Sequence, residues 1–125
     1  MKKHLALVVT GFMLMGLVSC FHHRNDISIT ISDNDDEYEM DALYNKRKTH
    51  AVRIYLYERL LDKKTGRYKK NIDREEITLD DHTKLYLDAY PGSLRIKIDK
   101  DENSPGSYKK IKQACEEIKE IMLEN

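Results

Sequence analysis

The side chains of this sequence that could do chemistry are few and scattered. Asp99-Lys100-Asp101-Glu102-Asn103 has the D-x-D-x-N opening of a calcium loop. Such a loop needs glycine at its sixth place and a bidentate glutamate at its twelfth. Here those places hold Ser104 and Lys110, and an ammonium group cannot ligate a cation. The stretch reads better as a turn whose acids precede a helix and complement its dipole. Asp33, Asp35 and Glu37 make a looser set of oxygen ligands, against the plainer reading of a charged hairpin turn. His22 and His23 offer two imidazoles to a transition metal, but neighbours chelate poorly and no third ligand lies near in sequence. His50 and His82 stand alone. A Cys115–histidine dyad would need an exposed, activated thiolate. Cys115 falls instead on an apolar helical stripe, where a thiol behaves as a small hydrophobe. There is no Gly-rich phosphate loop, no H-E-x-x-H and no G-x-S-x-G. The expectation is a protein without catalytic residues, metal or cofactor.

The strongest local charge feature is the run Lys63, Lys64, Arg67, Lys69 and Lys70, with Tyr68 inside it. Close to a bilayer such a run can touch lipid phosphates, each basic residue adding up to about 1 kcal/mol at an anionic surface. It can equally dock an acidic partner, or remain a solvated loop balanced by Asp62, Asp73, Glu75 and Glu76. These six residues are the candidate contact with a partner or membrane.

The remaining reactive group is Cys20. It ends a leader with a basic start (Lys2, Lys3), an apolar stretch from Leu5 to Val18 broken only by Thr10, Gly11 and Gly16, and a small residue, Ser19. These are the parts of a secretory signal peptide, and the stretch falls short of the roughly 20 residues that span a bilayer as a helix. Leu17-Val18-Ser19-Cys20 resembles the lipobox of bacterial lipoproteins. The resemblance implies that residues 1–19 are removed as a signal peptide and that Cys20 carries the lipid, palmitate included. Two or three acyl chains hold a protein at a membrane almost permanently, whereas one holds it marginally.

Removing Lys2 and Lys3 with the leader leaves 20 basic residues against 22 acidic ones. A near-neutral exported chain has no global attraction to nucleic acid. With Cys20 lipidated, Cys115 has no partner for a disulfide. The mature length suits one small domain with a thin core, and no internal repeat is evident.

The elements that must position these residues follow from periodicity. Residues 20–26 are expected as lipidated cysteine and polar tether, Phe21 to Asp26 reaching about 20 Å when extended. Ile27, Ile29 and Ile31 alternate with Ser28, Thr30 and Ser32, which predicts a half-buried strand. After the DNDD turn, Tyr38, Met40, Ala42 and Tyr44 alternate likewise, completing a hairpin. Asn45 can cap a helix over about 47–61, with Val52, Tyr55, Leu56 and Leu60 on its apolar side. Residues 62–76 lose all periodicity and are expected as a mobile basic loop, with a short strand over 77–81. TKLYLDAY-PG-SLRIKID predicts a second hairpin turning at Pro91-Gly92. Ser104 and Pro105 predict the start of a last helix with Tyr108, Ile111, Cys115, Ile118 and Met122 on one stripe. Together these give an α+β class: a small two-layer domain over 27–125, an antiparallel sheet of about four strands with two helices on one face, after an N-terminal signal helix. The outer face of the sheet should carry Ser28, Thr30, Glu39, Asp41, Lys84, Tyr86, Asp88, Arg95 and Lys97, mixed in sign.

The stretches ISITISDNDDEYEMDALYNKRKT and DDHTKLYLDAYPGSLRIKIDKDENSPGSYKKIKQACEEIKEIM are similar to parts of small, uncharacterised envelope proteins of Bacteroidota-type bacteria. That similarity implies a Gram-negative envelope and carries no activity. Surface-exported lipoproteins of such bacteria have an acidic or Lys-acidic run just after the cysteine. Phe21-His22-His23-Arg24-Asn25 lacks it, which points to the outer membrane with the domain facing the periplasm. The expected function is a non-catalytic envelope lipoprotein presenting a small interaction domain, its partners the membrane and an envelope protein. An inhibitor or accessory subunit of an envelope enzyme complex is the second reading, and a small hydrolytic enzyme the third.

Overall fold

The computed structural model describes residues 27–61 and 71–124 in full and 18–23 as backbone. Six strands form one antiparallel sheet: β1 (Val18–His23), β2 (Ile27–Asp33), β3 (Glu37–Leu43), β4 (Ile72–Thr78), β5 (Lys84–Tyr90) and β6 (Ser93–Asp99). Their order across the sheet is β1-β2-β3-β6-β5-β4. Helix α1 (Thr49–Tyr55) follows a 3-10 turn, Lys46–Lys48, and runs on into a π turn, Leu56–Leu60. Helix α2 is Pro105–Leu123. The protein is therefore the small α+β domain expected, with five strands rather than about four within 27–125. Among the described residues no helix is long and apolar enough to cross a membrane.

One face of the sheet is apolar because each strand alternates. Ile29, Met40, Ala42, Leu87, Leu94 and Ile96 are buried on it, and α1 adds Val52 and Leu56 while α2 adds Ile111, Cys115, Ile118 and Met122 to the same core. Each such Leu, Ile or Met side chain contributes about 1.5–3 kcal/mol by leaving water. Tyr108, expected on this stripe, is half-buried at its start.

The local signals act as their chemistry dictates. The Asn45 side chain accepts from Arg47 N at 2.9 Å and opens the 3-10 turn. Ser104 Oγ accepts from Ser107 N at 3.0 Å and caps α2, with Pro105 in the first turn. Gly92 has φ +75°, which the Pro91-Gly92 turn requires and glycine supplies without strain. A side chain there would also meet Lys46 Cγ at 2.9 Å and the Tyr44 carbonyl oxygen at 3.0 Å.

Three features differ from expectation. First, residues 72–78, expected as the end of an irregular stretch and the start of a short strand, form β4, while 62–70 lie outside the described residues. Ile72 pairs with Ala89 and Ile77 with Leu85, so an interval of five residues faces an interval of four. Five is odd and would turn the two isoleucines to opposite faces. One extra residue, a bulge between Ile72 and Glu75 with Arg74 at φ 47°, returns both to the core side. That bulge is why the strand shows no period of two. Second, part of the expected tether is strand: Phe21, His22 and His23 pair with Ile29, Ser28 and Ile27. The free edge of β2 offers backbone groups that an extended neighbour can satisfy. The expected signal helix lies outside the described residues except for Val18 and Ser19, which begin β1. Third, the chain has a repeat that side-chain patterns do not display. Three strands and a helix (β1-β2-β3-α1) are followed by three strands and a helix (β4-β5-β6-α2), and the halves meet at the β3–β6 pair.

Candidate interaction surface

With both helices on one side, no element among the described residues covers the other face of the sheet. Register sets its side chains in rows. Thr30, Asp41, Arg95 and Asp88 lie across neighbouring strands, and Ser32, Glu39, Lys97, Tyr86 and Glu76 form the next row. Every residue assigned to this face from alternation lies on it. Arg95 joins the rows: its Nε is 3.0 Å from Glu39 Oε2, and its Nη2 donates to Asp41 Oδ2 at 3.0 Å. The hydrogen bond to Asp41 and the charges of Asp41 and Glu39 hold the Arg95 proton more firmly than usual. Lys97 lies 3.5 Å from Glu37 and 5.9 Å from the centre of the Tyr86 ring. Pairs this exposed contribute about 0–1 kcal/mol each to stability, so their effect is to order the surface.

Tyr86 is 38% exposed, one of two large apolar side chains open to water among the described residues. It stands between two shallow depressions and lines both. One, about 490 Å³, includes Asp41, Arg74, Asp88 and Arg95. The other, about 320 Å³, includes Lys84, Lys97, Asp99 and Glu102. An aromatic ring between arrays of both charge signs suits recognition of a polar partner surface.

The other residues singled out from sequence fall as follows. Cys20 is opposite Thr30 in β1. Lys63, Lys64, Arg67, Tyr68, Lys69 and Lys70 lie outside the described residues. The looser cation site at Asp33, Asp35 and Glu37 is overturned, because Asp33 is already engaged. It accepts from Lys100 Nζ at 2.8 Å and from Tyr108 Oη at 2.6 Å, and Lys112 Nζ is 3.5 Å away. Burial pushes the Asp33 carboxyl up, but the bonds from Lys100 and Tyr108 and the charges of Lys100 and Lys112 together hold it below the usual range. Lys100 also sits 4.3 Å from the centre of the Tyr108 ring and donates to the Asn34 carbonyl at 2.6 Å. This network ties the first hairpin to α2. No cluster of three or more metal-ligating groups occurs among the described residues.

The D-x-D-x-N stretch is also consumed by the backbone. Asp99 Oδ1 accepts from Asp101 N at 2.8 Å, while Asn103 accepts from Lys84 N at 2.8 Å and donates to the Lys84 and Asp99 carbonyls. Cys115 is fully buried, and burial pushes its thiol up to about 12, so it is no thiolate nucleophile at neutral pH. His50 and His82 are exposed.

No family model, curated protein or solved structure matches this chain.

Sequence reasoning did not single out one further group. The turn Lys46-Arg47-Lys48 carries three cations, with Leu43 close before it. In the sequence, three adjacent basic residues read as the lead-in to a helix.

Proposed function

We propose that this protein is a membrane-anchored, non-catalytic envelope lipoprotein that uses the uncovered face of its sheet to bind another envelope protein. The observation that carries the binding half is Tyr86, exposed between two charged depressions on a face that no element of the described fold covers. The anchoring half rests on the Leu17-Val18-Ser19-Cys20 run behind a basic, apolar leader.

The strand β1 changes what an anchor at Cys20 does. Residues 20–23 are hydrogen-bonded along β2, so a lipid on Cys20 leaves from the edge of the sheet instead of from the end of a 20 Å leash. The open face then stands beside the bilayer, within reach of partners in or on it.

Two measurements test the reading. An alkyne fatty acid should label the wild-type protein in cells and fail to label Cys20→Ser; equal labelling refutes lipidation. A photo-reactive phenylalanine analogue at position 86 should give a discrete cross-linked species, while the same probe at Gln113, exposed on the helical side, should not. Equal yield from both positions refutes the sheet face as the binding surface.

A further inference from the structure

The chain has no net charge, yet one corner of the domain is strongly basic. Lys46, Arg47 and Lys48 occupy the 3-10 turn between β3 and α1, and among the described residues none of them makes an ion pair. On the open sheet face Arg95 pairs with Glu39 and Asp41 and Lys97 with Glu37, whereas these three cations have no such partner among the described residues. They also precede α1, at the end of a helix where its dipole disfavours positive charge. Their position works slightly against stability.

The turn is held rigidly. Lys48 N donates to the Asn45 carbonyl at 2.8 Å, Tyr44 N to the Gly92 carbonyl at 2.9 Å, and Gly92 N to Thr49 Oγ1 at 3.0 Å. The Lys46 stem lies against Gly92, where any side chain would displace it. The cations are thus presented on a fixed platform joined to the second hairpin. Leu43, three residues before Lys46, is 56% exposed, the most exposed large apolar side chain among the described residues. Such a leucine beside unmatched cations fits a surface that is anionic outside and apolar beneath.

We infer that the corner formed by Leu43 and Lys46-Arg47-Lys48 docks on an anionic lipid surface, the cations on headgroup phosphates and the leucine below them. At such a surface each basic residue strengthens partitioning about fivefold, so three are worth on the order of a hundredfold. The contact does not depend on lipidation of Cys20, because it is read at the corner itself, however the N-terminus is held.

The full chain, carrying a polarity-sensitive fluorescent amino acid in place of Leu43, is mixed with vesicles of phosphatidylcholine alone or containing phosphatidylglycerol. The emission should shift to the blue with phosphatidylglycerol, and high salt should reverse the shift. Lys46→Glu, Arg47→Glu and Lys48→Glu together should abolish it, with an unchanged circular dichroism spectrum. If the triple variant misfolds, the single change Arg47→Glu serves, and roughly tenfold or more phosphatidylglycerol should then be needed for the same shift. The same emission in both vesicle types, or a shift that survives charge reversal in a folded variant, overturns the inference. So does a shift produced by soluble poly-glutamate and not by phosphatidylglycerol, which would make the corner a site for an acidic polypeptide.

Discussion

Replacing Tyr38 by phenylalanine should make the protein more stable. Tyr38 is 1% exposed, and its hydroxyl has no hydrogen-bond partner among the described residues. The ring packs edge-on against Tyr108, with centroids 6.0 Å apart at 74°. The Cys115 thiol faces the hydroxyl without reaching hydrogen-bond geometry. A buried hydroxyl left unpaired costs about 1–3 kcal/mol. Phenylalanine keeps the ring and its contact with Tyr108, and leaves a void of only one oxygen atom. A net gain of about 1 kcal/mol is expected, equivalent to roughly 4–8 °C in Tm for a domain of this size. Urea titration followed by circular dichroism should show a higher midpoint at an unchanged slope.

The same substitution should alter the alkaline limb. Burial first, then the nearby Cys115, Glu116 and Asp33, raise the Tyr38 pKa above the ordinary 10.0. In the unfolded chain the phenol ionises near that ordinary value, while in the folded protein it stays neutral. Its contribution is therefore complete below about pH 10 and lost as pH rises beyond. Cys115 acts likewise from 9.0 toward about 12, at about 1.4 kcal/mol per pH unit. Tyr38→Phe should make the decline above pH 10 less steep and leave the Cys115 part, which runs from 9.0 toward about 12. A lower midpoint by 1 kcal/mol would refute the reasoning, because the hydroxyl would then be bonded in the folded protein. Combining it with Cys115→Ala would show whether sulfur is the acceptor.

Ile72→Ala should cost about 2–4 kcal/mol, measured by thermal or urea unfolding, because the side chain is 3% exposed against the core; a change under 0.5 kcal/mol would mean that residue 72 belongs to a solvated loop. Asp33→Ala should cost about 2 kcal/mol by stranding the donors Lys100 and Tyr108. The Asp33 carboxyl is held below its ordinary 3.8, so its contribution is present above that pH and lost as pH falls through the lower folded value. The variant's unfolding midpoint should accordingly depend less on pH in this acid range, and an unaltered acid limb would count against the network.

Much of the fold is legible along the chain because its causes are local. Alternation of Ile27, Ile29 and Ile31 with hydroxyl residues needs only the pleat of a strand. Ser104 and Pro105 start α2 through bonds that span three residues, and Gly92 turns the second hairpin through its own φ. The stripe from Ile111 to Met122 follows from 3.6 residues per turn. Alternation also places Tyr86 and Arg95 on the open face, because a strand has only two sides. β4 escapes such reading, since its bulge shifts the period in mid-strand and only pairing with β5 shows the correct phase. The central β3–β6 pair, which joins the two halves, brings together residues fifty or more positions apart. Asp33 looks like a free ligand beside Asp35 and Glu37, yet Lys100 and Tyr108, 67 and 75 residues away, occupy it. In the same way, Lys46-Arg47-Lys48 reads as the start of a helix, and only the assembled corner shows these cations without an ion pair among the described residues, close after an exposed Leu43. Dihedral preference and side-chain period act over a few residues and are written in the chain itself. Which charges are matched depends on distances between remote segments, and closing the sheet determines those distances.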